Sequence, residues 1–280
     1  MEEKTLYVSD LDGTLLDNAS RVSPETAAML NEAIAGGALF TVATARTPAT
    51  VQNLLREVKM NLPAIVMTGA AQWDLAAQRF RSVTTIPEAD ADRIAEAFES
   101  GSLRPFTYCV SGDSFLNVYH SKVMSRREAS FYEERRHLTL KRFHLGQTPA
   151  RRDKVALFFA TGPEKLVEET CARLREVTDC AVSWYRDVIT PDTGLIDIYA
   201  PGVSKAHAVA ELAKQTGATR IVVFGDNLND LPMMRTATMG VAVENALPEV
   251  RSEATVTIGS NAAHSVARFI LDDMAAQSRR

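Results

Sequence analysis

Apolar residues come along this chain in short blocks, each stopping abruptly on a polar residue. Leu6-Tyr7-Val8 stops at Ser9-Asp10, and Leu39-Phe40-Thr41-Val42-Ala43 at Thr44. Ile65-Val66-Met67 stops at Thr68-Gly69, and Ile221-Val222-Val223-Phe224 at Gly225-Asp226. Runs this short and this apolar predict strands buried on both faces, as in a parallel sheet. Helix signals fall between them. Ser23-Pro24-Glu25 has the form of an N-cap, a first-turn proline and a first-turn acid, with Gly36-Gly37 as the stop. Thr47-Pro48 opens a second helix, whose Val51, Leu54, Leu55 and Val58 share one stripe. Ser204 opens a third, closed by Gly217. Strand and helix in alternation predict a doubly wound α/β domain. Ligands in such sheets bind beyond the carboxyl ends of the strands, where Asp10, Thr44, Thr68 and Asp226 fall.

The middle of the chain has a different texture. From about Ser82 to Asp187 it reads as helix, hairpin, helix, strand, helix, strand. The hairpin is Phe106–Val110 and Phe115–Tyr119 around Ser111-Gly112-Asp113-Ser114. A strand at Val155–Ala160 precedes a helix opened by Pro163-Glu164. This predicts a smaller α+β domain over 82–188, inserted into a core formed by 1–81 and 189–280.

Charge and composition narrow the function. The 280 residues carry a net charge of −4, which speaks against wholesale nucleic-acid binding. Within the insert, residues 120–154 hold ten Lys or Arg, Arg126, Arg127, Arg135, Arg136, Lys141, Arg151 and Arg152 among them, against four acids. That excess suits an anionic ligand or, equally, a solvated basic face. Three cysteines, Cys109, Cys171 and Cys180, lack metal-ligand spacing and point to reduced thiols in a cytosol. Neither a signal core nor a membrane-length apolar run stands out.

The chemistry concentrates in Ser9-Asp10-Leu11-Asp12-Gly13-Thr14. An Asp-Gly pair more often marks a solvated turn, so this segment alone decides nothing. Three later features follow it in order: Thr44 at a strand end, Lys205 opening a helix, and Gly225-Asp226-Asn227-Leu228-Asn229-Asp230. The four together resemble the motifs of the haloacid dehalogenase-like phosphatases, over Tyr7 to about Ala246. The resemblance is greatest to the Cof-type lineage, which inserts a large α+β cap between the Thr and Lys motifs. It implies a Rossmann-like doubly wound core with that cap, closing over substrate. It also implies Mg²⁺-dependent hydrolysis of a small phosphorylated metabolite through an aspartyl-phosphate.

On that resemblance Asp10 matches the nucleophile, and Asp12 the general acid and then base. The metal ligands are Asp10 and Asp226 with the backbone carbonyl of Asp12, and Asp230 stands beside them. Phosphate or substrate binding falls to Leu11, Thr44, Ala45, Arg46, Lys205 and Asn229. The expected setting is cytoplasmic, with neither nucleic acid nor membrane as partner, as a monomer or small homo-oligomer. Ala45, Thr68 and Glu244 stand where relatives usually carry Gly, Asn and Gly, which bears on substrate choice rather than reaction type. A sugar phosphomutase or phosphotransferase using the same aspartyl-phosphate, and a non-catalytic phospho-ligand sensor, remain open alternatives.

Overall fold

The computed structural model describes residues 4–150, 153–187 and 190–279. The chain divides into two compact units: a core unit reaching to Arg81 and resuming at Ser204, and an inserted unit, Ser82–Val203. The core begins with β1 (Thr5–Ser9), α1 (Pro24–Ala35), β2 (Leu39–Val42), α2 (Pro48–Leu54), β3 (Ala64–Val66), β4 (Ala71–Asp74) and β5 (Arg79–Val83). The insert follows with α3 (Glu88–Glu99), β6 (Phe106–Ser111), β7 (Phe115–His120), α4 (Arg126–Arg135), β8 (Lys141–Leu145), β9 (Lys154–Pro163), α5 (Glu164–Val177), β10 (Ala181–Arg186) and β11 (Thr193–Tyr199). The core resumes with α6 (Lys205–Thr216), β12 (Arg220–Gly225), α7 (Leu231–Thr236), β13 (Met239–Val243), α8 (Pro248–Glu253), β14 (Val256–Ile258) and α9 (Ser265–Gln277).

The core sheet is parallel, in the order β14-β13-β12-β1-β2. Its central strands are buried on both faces, as their unbroken apolar runs require. Strand order reverses at β1, which has β2 on one side and β12 on the other. Register then sets two strand ends side by side. Ser9 pairs with Phe224, and the Asp10 N–H donates to the Phe224 carbonyl at 3.0 Å. Ser23 caps α1 by accepting from the Thr26 N–H at 3.0 Å. Two local expectations change. The α2 helix stops at Leu54, and tight turns carry Leu55 and Val58 into the core. Strand β3 touches the parallel sheet through one bridge, Ala43 to Ile65, and otherwise pairs antiparallel with β4.

The inserted unit is a six-stranded sheet, β10-β11-β9-β6-β7-β8, antiparallel except for β7 with β8. One face packs under α3 and α5 around Phe98, Phe158, Val167, Cys171, Leu174, Ile196 and Ile198. On the other face α4 lays Phe131 against Phe106 and Phe159. The return to the core lies at Ser204, not at 189; residues 188–189 fall outside the described set. The reason is β11, which pairs with both β10 and β9 and is thereby the sheet's second strand. Part of the basic stretch is neutralised in place: Arg127 pairs with Asp187, Arg135 with Glu134 and Arg136 with Glu133. Arg151 and Arg152 lie outside the described residues. His120 and His144 serve packing, stacked on Phe106 and Tyr119.

Candidate active site

Asp10 is the first residue beyond β1, and Asp226 the first beyond β12. The chain after Asp10 turns tightly at Gly13, with φ +76°. A Cβ there would press into the Asp226 carboxylate, 2.9 Å from its Cγ, so only glycine admits this approach. Thr14, the next residue, donates from Oγ1 to Asp226 Oδ1 at 2.7 Å. Gly225 does similar service on the other strand: a Cβ there would stand 2.6 Å from that of Asp230.

Asp230 closes a short turn, Leu228–Asp230, and is wholly buried. Its Oδ2 accepts from the backbone N–H groups of Asp226 (3.1 Å) and Asn227 (3.2 Å). Its Oδ1 accepts from Lys205 Nζ at 2.8 Å, and the same ammonium donates to Asp10 Oδ1 at 2.6 Å. Lys205 opens α6 behind the Ser204 cap, and only 3% of it is exposed. Its backbone is set by Gly69 (φ +98°), where a Cβ would come within 2.7 Å of the Ser204 carbonyl carbon.

Carboxylate oxygens of Asp10, Asp226 and Asp230 lie within 4.8 Å of one another. One ammonium among three carboxylates leaves a surplus of two negative charges. The titration behaviour carries the same sign. Burial pushes Asp10 up to about 7; Lys205 opposes that rise, and Asp230 and Asp226 add to it. Burial also lifts Asp226 to about 6, against the Thr14 hydrogen bond and with repulsion from Asp230. Burial works against the Lys205 charge as well, yet the two carboxylates hold its pKa above the ordinary lysine range. All three shifts call for additional positive charge. Clustered carboxylate oxygens with that deficit fit a hard divalent cation such as Mg²⁺.

Asp12 stands apart from this cluster, its side chain 52% exposed. Arg46 grips it bidentately, Nε to Oδ2 at 2.7 Å and Nη2 to Oδ1 at 2.6 Å. Thr44 is buried at the end of β2, and its Oγ1 accepts from the Arg46 N–H at 3.2 Å. Ala45 is exposed beside it, the Leu11 side chain is fully buried, and Asn229 is exposed. A cleft of about 580 Å³, lined by Ile86, Pro87, Ala91 and Phe158 among others, contains no member of the carboxylate cluster.

Sequence reasoning gave no role to Thr14 or Asn245. Asn245 Nδ2 donates to the Gly13 carbonyl at 2.7 Å, and its Oδ1 accepts from the Asn261 N–H at 2.9 Å. Asn261 Nδ2 in turn donates to the Leu16 carbonyl at 2.7 Å. These two amides latch the turn that carries Asp10 and Asp12. The available signal was the Val243-Glu244-Asn245-Ala246 run at the end of β13.

Comparison with known proteins bears on the family and the fold. A family model for haloacid dehalogenase-like hydrolases matches residues 7–270. The chain is 25% identical over 275 residues to the pyridoxal phosphate phosphatase YbhA of Escherichia coli, covering 93% of this chain and 95% of that one. It is 23% identical over 274 residues to the 5-amino-6-(5-phospho-D-ribitylamino)uracil phosphatase YcsE of Bacillus subtilis, covering 95% and 94%. The fold matches the crystal structure of a haloacid dehalogenase-like hydrolase from Bacteroides thetaiotaomicron, with a TM-score of 0.75 at 21% identity over 97% of this chain and all of that one. With the motifs, the inserted α+β unit and the family match in agreement, the chain belongs to the haloacid dehalogenase-like hydrolases, among their Cof-type phosphatases.

Proposed function

We propose that the protein is a cytoplasmic, Mg²⁺-dependent phosphatase of a small phosphorylated metabolite, acting through an aspartyl-phosphate on Asp10. The observation that carries this reading is the buried cluster of Asp10, Asp226 and Asp230 around the single ammonium of Lys205. A purely structural cluster would balance its charges internally, because uncompensated buried charge is costly. The phosphatase names of the relatives support a phosphomonoester substrate.

Asp10 is the nucleophile. Its carboxylate oxygen forms a bond to phosphorus as the bond to the ester oxygen breaks, and Asp12 gives the departing alkoxide a proton. Asp12 then takes a proton from water, whose oxygen attacks the same phosphorus and frees Asp10 with release of inorganic phosphate. Lys205, the Thr44 hydroxyl and the Leu11 and Ala45 N–H groups supply positive charge and donors to the phosphoryl oxygens. Arg46 orients Asp12, and Asn229 is a further phosphate contact. Asp10, Asp226 and the Asp12 carbonyl, with Asp230 behind them, would hold Mg²⁺, which would supply the positive charge that offsets repulsion between Asp10 and a phosphate dianion.

The test is phosphate release from a panel of phosphorylated sugars, cofactors and nucleotides, with Mg²⁺ and again after chelation. Metal-dependent turnover of at least one panel member is expected. Binding of panel members without turnover, in the presence of Mg²⁺, would overturn hydrolysis in favour of a sensor. Transfer of phosphate to a sugar hydroxyl in place of water would identify a mutase.

A further inference from the structure

Among the described cations of the inserted unit, Lys141 is set apart by its surroundings. It is the first residue of β8, opposite Leu116 of β7, and only 6% of it is exposed. No hydrogen bond or carboxylate holds its Nζ among the described residues, and the ammonium tip reaches solvent. What it has instead are two aromatic faces, Tyr108 at 5.6 Å and Phe143 at 5.9 Å from the ring centroids. Its charged neighbour is a like charge, Arg135, whose own guanidinium is paired with Glu134 at 2.6 Å. Burial first, and then Arg135, lower the Lys141 pKa to about 8.

A buried ammonium normally keeps a counterion, and ring faces replace one only in part. The Tyr108 hydroxyl shares the predicament. The residue is 3% exposed, no hydrogen bond holds its oxygen among the described residues, and that oxygen also reaches solvent. The register puts Phe106 and Tyr108 of β6, Phe143 of β8 and Asp197 of β11 on one sheet face. Asp197 is within electrostatic reach of Tyr108 but does not act on Lys141, so it is not the ammonium's counterion. Two donors that reach solvent and are held by no protein acceptor among the described residues, over an aromatic floor and beside a second cation, describe half of an anion site.

We propose that Lys141 and the Tyr108 hydroxyl, with Arg135 alongside, bind the carboxylate or phosphate group of a small organic anion within the inserted unit. The anion supplies the acceptors that both donors lack, and the Tyr108 and Phe143 rings exclude water and so strengthen the contact. The same chemistry serves an acidic group of the substrate distinct from its scissile phosphate, or a separate anionic effector. The site lies wholly in the inserted unit and does not depend on the hydrolytic reading.

Residue-specific acylation of the full chain tests this without an activity assay. The wild-type protein is treated with acetic anhydride at pH 8, with and without succinate or inorganic phosphate, and Lys141 acylation is read by mass spectrometry of the digest. Saturable protection of Lys141 by at least one anion is expected. Lys141→Met should weaken binding of that anion about tenfold to a hundredfold, the range of a charge-assisted hydrogen bond, and Lys141→Arg should restore most of it. Tyr108→Phe should weaken it less. Lys205 in the same digest reports separately on phosphate at the carboxylate cluster. Acylation of Lys141 unaffected by either anion would overturn the proposal, as would unchanged anion affinity in Lys141→Met. A rise in KM in Lys141→Met confined to substrates with a second acidic group would identify the substrate as source. Loss of a dicarboxylate's non-competitive effect would identify an effector.

Discussion

Asp197 offers a stability measurement whose sign is fixed by the structure. It lies on β11 with 8% of its surface exposed, and its carboxylate accepts one side-chain hydrogen bond, from Tyr185 Oη. Burial pushes the carboxyl from 3.8 up to about 6, only partly opposed by that bond. Because the folded value exceeds the unfolded one, the folded chain holds the proton more tightly, and stability is lost as pH rises through the folded pKa. A rise of this size costs about 3 kcal/mol once the group is ionised at pH 8, and about 1 kcal/mol at pH 4.5. Asp197→Asn keeps an oxygen for the tyrosine and cannot ionise. It should therefore stabilise the inserted unit by up to about 3 kcal/mol at pH 8 and far less at pH 4.5. The readout is urea unfolding followed through Trp184, which lies on β10, in a Trp73→Phe background that silences the core-unit tryptophan. Destabilisation at pH 8, or the same change at both pH values, would refute the reasoning. The carboxylate would then be a satisfied structural acceptor.

Further expectations follow from the site and its support. Asp10→Asn should abolish turnover while substrate still binds. Asp12→Ala should lose about 10²–10⁴-fold on alkyl phosphates and less on aryl phosphates, whose leaving group needs little protonation; equal losses on both, measured by steady-state kinetics, would remove Asp12 as proton donor. Chelation should abolish activity and Mg²⁺ restore it, and Asp226→Asn should raise the Mg²⁺ concentration needed; full turnover after exhaustive chelation would refute the metal assignment. Asp273 receives Arg220 at 2.6 and 3.0 Å and the Tyr7 hydroxyl at 2.7 Å, tying α9 to β1 and β12. Burial tends to raise its pKa, but Arg220 and Tyr7 hold it below 3.8. Asp273→Ala should then cost about 3–5 kcal/mol near neutral pH. That contribution is complete above the unfolded pKa and fades as pH falls through the folded one, so a pH-independent loss in chemical denaturation would refute an ionic role.

Strand ends were the most legible feature of the sequence, because a strand buried on both faces must be apolar along its whole length. The polar residue that ends the run is then conspicuous, as at Asp10, Thr44 and Asp226. Strand β11 was not legible. Its Thr-Gly-Leu-Ile-Asp-Ile-Tyr run carries a buried acid and a glycine, and its assignment comes from pairing with β9 and β10, a long-range fact that local pattern does not carry. The glycine in that run is itself a packing residue, since a Cβ at Gly194 would meet Val167 of α5 at 2.8 Å. Lys205 was legible as a motif and not as an environment. A lysine opening a helix is ordinarily solvated, and its two carboxylate partners, Asp10 beyond β1 and Asp230 in the turn after β12, account for its burial.

Asp12 and Arg46 show most sharply where local reading ends. The proposed mechanism gives Asp12 two duties, donor first and acceptor second, from its place two residues after Asp10. The structure adds a guanidinium from the loop after β2 that holds both carboxylate oxygens. Such a grip lifts the pKa of Arg46. Both Asp12 oxygens already accept from Arg46, the arrangement of an acceptor, ready for the water step, and not of a donor. Proton donation to an alkoxide therefore requires the pair to loosen when the leaving group arrives, whereas water activation does not. The contrast between alkyl and aryl phosphates in Asp12→Ala bears on the first step alone, and persistence of a phosphoenzyme on Asp10 bears on the second. The exposed half of Asp12 is consistent with this division, because a proton donor must be reachable by a group that the folded chain does not itself contain.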